Sequence, residues 1–287
     1  MPIFETPSDP NSFDLSPDAV QFSDALGLTG KLKRLDELRK QLEQFKGQRA
    51  PLELRQDVIE LKTDLMASIQ QARLEIDFVV AEIEEEETIF EESLRAYTNE
   101  RDARVNKANL WAFRTNGVLW AGAEALDIPT YRTAKLSIPS GAIGIAAGLV
   151  PSIFSAFAVR ASMGLHHERE SYPNILSKLY SFPTSPRIEF PESVWTHLNS
   201  KPAGEEKQTR RELLMEHWRH NRNITLFKTG ETNERLSLLT GITQRRIDME
   251  LLNDRLTMIR ELKAVVLQMN RLLLEINMVM QEKKVLQ

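Results

Sequence analysis

The sequence predicts an all-α protein in which long coiled-coil helices flank a central apolar, membrane-embedded segment. Three observations lead to this prediction. Residues 136–159 contain no charge, although 27% of the chain is charged, and a run of that length is long enough to cross the hydrocarbon of a bilayer. Helix-spaced apolar residues run from residue 52 to residue 116 without glycine or proline. A second apolar pattern, in heptad spacing, runs from residue 252 to residue 280.

Residues 1–22 contain four of the 13 prolines of the chain, together with Ser, Asp and Asn. This composition is a poor helix former and predicts a mobile tail. The segment has neither the basic nor the apolar region of a secretory signal peptide, so we expect no cleavable signal. We therefore expect the internal apolar segment to direct the chain to a membrane, either bacterial or organellar.

Residues 23–116 are predicted to form an N-terminal helical, coiled-coil arm. Its main apolar stripe recurs at spacings near three and four, as on one face of a helix. A helix of roughly 60 residues cannot bury such a stripe alone and needs a partner helix. The stripe consists of Val58, Leu61, Leu65, Ala72, Ile76, Val79, Ile83, Phe90, Leu94 and Tyr97.

The two arms carry opposite charge. Residues 51–100 hold 14 acidic and four basic residues, whereas residues 201–287 hold 12 acidic and 16 basic residues. Opposite charge favours pairing of the arms with each other or with different partners. The densest acidic cluster, which we predict to be a charge-pairing site, is Glu84, Glu85, Glu86 and Glu87. The alternative interpretation is a solvated helix face.

Residues 117–164 are predicted to be membrane-associated. Residues 117–128 are apolar but too short to span a bilayer, so they suit an interfacial helix or half of a re-entrant pair. Trp111 and Trp120 lie where aromatic side chains anchor helices at the membrane interface. The alternative is that both are core residues of a helical bundle.

Small residues inside the uncharged run predict close helix packing. Gly144 and Gly148 form a GxxxG pair, and Gly141 lies one turn earlier. In an apolar helix this pattern lets two backbones approach closely. Pro151 would kink such a helix near its middle, which membrane helices tolerate.

Residues 165–204 are rich in proline and aromatic residues and predict an extended, packed connector. Short helical turns are expected at residues 175–180 and 192–199. Residues 205–287 predict a C-terminal helical, coiled-coil arm whose heptad stripe is the strongest periodic signal in the chain. That stripe consists of Leu252, Leu256, Ile259, Leu262, Val266, Met269, Leu273, Ile276 and Met280.

No motif in the sequence predicts catalysis. The chain has no cysteine, no glycine-rich phosphate loop, no nucleophile elbow and no HExxH zinc motif. Two histidine groups, which include His166, His167, His217 and His220, offer too few ligands for a metal site. We therefore expect no enzyme activity, metal, cofactor, small-molecule substrate or nucleic acid.

Two topologies lead to two functions. If residues 136–159 span the bilayer alone, the arms lie on opposite sides, and the protein is a membrane-anchored coiled-coil scaffold or adaptor, which the sequence favours. If residues 117–128 and 136–159 form a re-entrant hairpin, both arms lie on one side and can pair antiparallel. That layout resembles α-helical pore-forming toxins in general plan only. The expected partners are the lipid bilayer and either a second copy of the chain or another helical protein.

Overall fold

A computed structural model describes residues 15–45, 49–127, 173–185, 187–205, 207–225, 227, 233–242 and 249–281. All regular secondary structure in these ranges is helical, which confirms the all-α prediction. The helices are α1 (Pro17–Ala25), α2 (Thr29–Glu43), α3 (Leu52–Asp127), α4 (Leu176–Leu179), α5 (Glu192–Asn199), α6 (Arg210–His220), α7 (Asn233–Leu239) and α8 (Met249–Met280).

The chain divides into two compact units. The first unit gathers Met1–Thr88, Tyr172–Thr243 and Asp254–Gln287, and the second gathers Ile89–Ser171 and Gln244–Asn253. The first unit therefore combines stretches of chain from both sides of the central apolar segment.

Helix α1 begins inside the stretch that we expected to be a tail. Ser16 caps the helix, because its Oγ accepts a hydrogen bond from Ala19 N at 3.3 Å. Pro17 occupies the first turn, where its missing N–H leaves no hydrogen bond unmade. The predicted mobile tail is thus wrong from Pro17 onward. Ser16 and Pro17 are helix-start signals that the high proline content had obscured.

Gly27 ends α1 in a left-handed conformation. Its φ is 67°, and the N–H groups of Gly27 and Leu28 donate to the carbonyls of Asp24 and Ser23 at 3.0 and 2.8 Å. This is the hydrogen-bond pattern of a Schellman cap, in which glycine avoids the steric cost of a Cβ. The turn allows α2 to follow α1 almost directly.

We expect Gly27→Ala to lower the free energy of unfolding by about 1 kcal/mol, because alanine is strained at positive φ although open space surrounds the position. Gly30→Ala is the matched control, since Gly30 lies in α2 and a Cβ there also meets open space. That control should be neutral or slightly stabilising. Urea denaturation of both variants measures the difference, and equal effects would contradict this role of Gly27.

Helix α3 continues past Gly117 to Asp127. The helix boundary that we expected between residues 116 and 117 is therefore wrong, because one glycine costs a long helix only about 1 kcal/mol and does not end it. In the first unit the predicted stripe of α3 faces the core. Its buried members there are Val58, Leu65, Ala72, Ile76, Val79 and Ile83.

Helix α8 buries all nine residues of its predicted heptad stripe. Burial near its N-terminal end extends beyond that stripe to Asp254, Arg255 and Met258. The Asp254 carboxylate accepts hydrogen bonds from Thr225 N and Oγ1, both at 2.9 Å. This part of α8 is therefore surrounded on several sides, unlike the single seam of a two-helix coil.

Short helices of the first unit pack around these long ones. The turns expected at residues 175–180 and 192–199 are present as α4 and α5. Helix α6 begins with a capping box, in which Thr209 and Glu212 each bind the other's backbone N–H. Helix α5 packs against both α1 and α6. Arg39 of α2 donates to the carbonyls of Val279 and Met280 at the end of α8.

In the described part of the chain, no helix combines the length and apolar character needed to cross a membrane. The uncharged run of residues 136–159 lies outside the described residues.

Candidate functional site: the charged junction of the two arms

Ion pairs between described residues join α3 to α8 in the first unit. Arg260 Nε lies 2.6 Å from Glu87 Oε1, and Lys263 Nζ lies 2.9 Å from Glu84 Oε1 and 3.4 Å from Glu87 Oε2. Lys263 follows Arg260 along α8, whereas Glu84 precedes Glu87 along α3. The two helices therefore run antiparallel at these contacts. We call Glu84, Glu86 and Glu87 of α3 together with Arg255, Arg260 and Lys263 of α8 the arm junction.

The outer ion pairs of the arm junction favour their charged forms. The hydrogen bond from Arg260 lowers the pKa of Glu87, and the hydrogen bond to Glu84 raises the pKa of Lys263. Exposed pairs of this kind each contribute up to about 1 kcal/mol, because water screens them. Their antiparallel arrangement fixes register more than it adds stability.

Glu86 occupies the buried side of the arm junction. Its Oε1 accepts a hydrogen bond from Ile175 N at 2.8 Å, and its Oε2 is buried without a hydrogen-bond partner. Burial raises the pKa of Glu86 to about 7, although the N–H of Ile175 and the charge of Arg255 both oppose this rise. Glu86 therefore changes its charge near neutral pH.

Arg255 is the buried cation of the arm junction, and only 2% of it is exposed. Its Nε donates to the Leu239 carbonyl at 2.9 Å, and its Nη2 donates to the Leu238 carbonyl. Burial lowers the pKa of Arg255 to about 10, and the charge of Glu86 opposes this fall. The side chain thus joins α8 to the end of α7 while compensating the charge on α3.

Asn174 aligns the backbone that binds Glu86. Its Nδ2 donates to the Leu239 carbonyl at 2.8 Å, and its N–H donates to the Thr240 carbonyl at 3.0 Å. Its Oδ1 accepts from Leu176 N at 3.1 Å. The chain that returns after the central apolar segment is therefore tied to α7 and, one residue later, to α3.

The predicted charge-pairing residues thus have different surroundings. Glu84 and Glu87 contact cations of α8, Glu86 is partly buried and interacts electrostatically with Arg255, and Glu85 is exposed. The charge of Glu85 contributes to the raised pKa of Glu86.

A second buried ionisable group, His197, holds α1 in place. The imidazole is 2% exposed and packs edge-on against Phe22, with ring centroids 5.2 Å apart. Burial and then the charge of Arg210 lower the pKa of His197 to about 4, while Asp18 opposes this fall. Asp18 Oδ1 accepts hydrogen bonds from Arg210 Nη2 at 2.5 Å and from Ala203 N at 2.9 Å. His197 is therefore neutral at pH 7.

The second unit exposes large apolar side chains near the end of α3. Trp111 is 53% exposed and Val118 72%, while Phe113 is 79% exposed and Trp120 52%. Each pair is separated by seven residues, and the two pairs lie on opposite sides of the helix. Arg114 is exposed between the two pairs, so this part of α3 carries two separate apolar strips rather than one apolar face. In the described structure Trp111 and Trp120 are therefore not core residues.

The structure does not describe several of the residues that the sequence analysis singles out. Gly141, Gly144, Gly148 and Pro151 lie outside the described ranges, as do His166 and His167. His217 Nε2 lies 3.7 Å from Glu261 Oε1, and the Nδ1 of His220 is 2.9 Å from the Glu216 carbonyl oxygen of its own helix. Among the described residues no group of three His, Asp or Glu side chains is placed to hold a metal ion.

Sequence reasoning missed Arg255 and His197. Arg255 follows Leu252 by three residues and precedes Ile259 by four, so it lies on the apolar face of α8. A charge on that face is the signal that could have identified it.

No protein-family model matches the chain, and no curated protein or solved structure matches it either.

Proposed function

We propose that this protein is a non-enzymatic, membrane-inserting helical protein. In this proposal, both coiled-coil arms stay on one side of a bilayer, and residues 117–159 enter it as an apolar hairpin. The observation that carries the proposal is the arm junction, which joins α3 to α8 through Glu84, Glu87, Arg260 and Lys263.

The arm junction favours the hairpin topology over a single span. A single crossing by residues 136–159 would put residues 52–88 and 254–280 on opposite faces of the membrane. That separation would expose the buried stripes of both helices and would separate Arg255 from Glu86. Breaking a buried charge interaction alone costs several kcal/mol. A hairpin keeps these contacts and still delivers the central segment to lipid.

The exposed apolar end of α3 supports the same proposal. Trp111, Phe113, Val118 and Trp120 form two exposed apolar strips on the part of α3 that precedes the uncharged run. Tryptophan prefers the interface between headgroups and hydrocarbon, where its ring is in an apolar environment and its N–H is near water. In this proposal these residues lie near the membrane interface, at the base of the hairpin.

We expect the purified protein to release dye from liposomes and its tryptophan emission to shift to the blue on binding. Trp111→Asp and Trp120→Asp should each reduce binding at least tenfold, because a charge replaces an interfacial aromatic residue. Thr63→Asp, an exposed change on α3 in the first unit, is the matched control and should behave as the unchanged protein. Absence of release and of any emission shift, across lipid compositions and from pH 4.5 to 7.5, would contradict the proposal.

Carbodiimide crosslinking distinguishes the topologies on the bilayer. Lys263 Nζ is within 2.9 Å of a Glu84 carboxylate oxygen, so the reagent should join them directly into an amide. A hairpin retains this crosslink after the protein has bound to liposomes, whereas a single span loses it. Lys263→Gln removes the reacting amine and is the control for assignment of the crosslinked peptide.

The second candidate function is a membrane-anchored coiled-coil scaffold or adaptor. The exposed apolar residues of α3 in the first unit, which include Ile59 and Met66, favour it, because an exposed apolar helix face is typical of a protein–protein contact. A scaffold with a single span would bind liposomes but would lose the crosslink and release no dye. The dye assay and the crosslink together therefore separate the two functions.

A further inference from the structure

The chain leaves or re-enters the first unit at four places, which we call its exits. In chain order these are after Thr88, before Tyr172, after Thr243 and before Asp254. Each exit lies within four residues of a group in the first unit that belongs to one hydrogen-bond network. We call this set of residues the exit clasp, and it consists of Glu86, Asn174, Ile175, Leu239 and Arg255.

Hydrogen bonds join the members of the exit clasp without a break. Ile175 N donates to Glu86 Oε1 at 2.8 Å, which joins the second exit to the first. The Leu239 carbonyl accepts from Asn174 Nδ2 at 2.8 Å and from Arg255 Nε at 2.9 Å. These two bonds join the second and fourth exits to the third. Asn174, Leu239 and Arg255 are at most 3% exposed, so the network holds the exits together from inside the first unit.

Glu86 is the acidic member of the exit clasp, and its ionised form is poorly satisfied. Its Oε1 accepts from Ile175 N, whereas its Oε2 is buried without a partner. The charge of Arg255 on α8 favours the ionised form, and the charges of Glu82 and Glu85 on α3 oppose it. Burial outweighs the favourable contacts and raises the pKa of Glu86 to about 7. Neutral Glu86 therefore suits the closed network better than ionised Glu86 does.

We propose that the exit clasp is a pH-dependent switch, which is closed when Glu86 is protonated and loosened when Glu86 ionises. In the loosened form the carboxylate is hydrated, so the Ile175 N–H loses its acceptor and the first two exits are no longer joined. Because the closed form binds the proton more tightly than the loosened form, pH sets the balance between them. The switch is a property of the first unit and does not depend on membrane insertion.

Glu75 provides a comparison within the same molecule, because it makes a similar contact from the same helix. Its Oε2 accepts from Ser193 N at 3.2 Å, and its Oε1 accepts from Gln71 Nε2 at 2.8 Å. Burial opposes ionisation of Glu75, but the hydrogen bonds from Ser193 and Gln71 together lower its pKa. Glu75 therefore stays ionised from pH 6 to pH 8, and its contact with Ser193 should not respond to pH in that range.

Hydrogen exchange of single amides tests the switch in the full chain without lipid. After correction for base-catalysed exchange, protection of the Ile175 amide should fall about tenfold from pH 6 to pH 8, because Glu86 loses most of its proton over that interval. Protection of the Ser193 amide should stay constant. In Glu86→Gln, protection of Ile175 should be the same at both pH values. Glu53→Gln, an exposed change on α3, is the matched control and should behave as the unchanged protein.

Three outcomes would overturn the proposal. Constant protection of Ile175 in the unchanged protein would show that ionisation of Glu86 does not loosen the exit clasp. An equal fall at Ser193 would show a general effect of pH on the unit. A fall at Ile175 that persists in Glu86→Gln would assign the effect to another group. The first two outcomes need no variant, so the test remains decisive if Glu86→Gln does not fold.

A buried amide of α8 separates local opening from unfolding of the whole unit. Val266 is 0% exposed in the middle of α8, so its amide reports unfolding of the unit. Ile175 should be protected at least tenfold less than Val266 at pH 8. Equal protection would show that the exit clasp opens only when the unit unfolds, which would also overturn the proposal. Dye release from liposomes is measured separately, so failure of the switch leaves the proposed membrane function intact.

Discussion

Arg255→Met should lower the free energy of unfolding by about 3–5 kcal/mol at pH 8. The guanidinium is 2% exposed and donates to the carbonyls of Leu238 and Leu239. Its removal leaves the buried Glu86 carboxylate without a compensating charge, which is the costly way to break a buried charge interaction. Urea denaturation followed by circular dichroism measures the loss.

Two further variants test this explanation of the Arg255 effect. Arg260→Met removes an exposed cation from the same helix and the same junction, so it should cost less than about 1 kcal/mol. Adding Glu86→Gln to Arg255→Met should recover most of the stability, because the uncompensated charge is then gone. A double variant as unstable as Arg255→Met alone would show that Glu86 is not the reason.

Stability should depend on pH in opposite directions through Glu86 and His197. Burial raises the pKa of Glu86 from 4.5 to about 7. Its stabilising contribution to the free energy of unfolding is therefore fully present below pH 4.5 and is lost as pH rises through 7. Burial lowers the pKa of His197 from 6.5 to about 4, so its contribution is present above pH 6.5 and is lost as pH falls through 4. Between pH 4.5 and 6.5 the two trends oppose each other and largely cancel.

Single substitutions should reveal each trend. In Glu86→Gln, stability is expected to fall by roughly 2–3 kcal/mol as pH drops from 6.5 to 4.5, because Glu86 then no longer opposes the titration of His197. In His197→Phe, stability should instead fall by a similar amount as pH rises over the same range. Phenylalanine keeps the ring contact with Phe22, but it has no ionisable group, so the variant removes only the titration of His197. A flat profile in Glu86→Gln would rule out this role for His197.

Local patterns in the sequence predicted the helices but not their neighbours. The heptad stripe of α8 and the bounds of α5 follow from apolar spacing and from proline positions, which act within a few residues. These local patterns could not predict that α3 continues through Gly117. A glycine destabilises a helix locally, and whether the helix continues depends on how stable the rest of the long helix is. Ser16 and Pro17 indicate the start of a helix, but the other prolines of residues 1–22 led to the prediction of a tail.

The arm junction was predictable only in its charge. The excess of acid on one arm and base on the other favoured pairing, and Glu84 to Glu87 were the expected acidic partners. Which of them would be buried depends on the rotation of α3 against α8, and no local pattern fixes that rotation. Glu86 follows Ile83 by three residues, so its position on the apolar face was visible, whereas its hydrogen bond to Ile175 was not.

The distance along the chain between the partners in the first unit bears on how the protein is made. Ser16 donates to Glu275 across 259 residues, and Arg39 reaches the last carbonyls of α8 across 240 or more. On a ribosome, α1, α2 and the first half of α3 therefore emerge long before α8 can cover them. Their apolar faces therefore stay exposed during most of translation. We expect chaperones to bind the nascent chain in this interval. The first unit can complete its fold only after α8 has been synthesised and has docked.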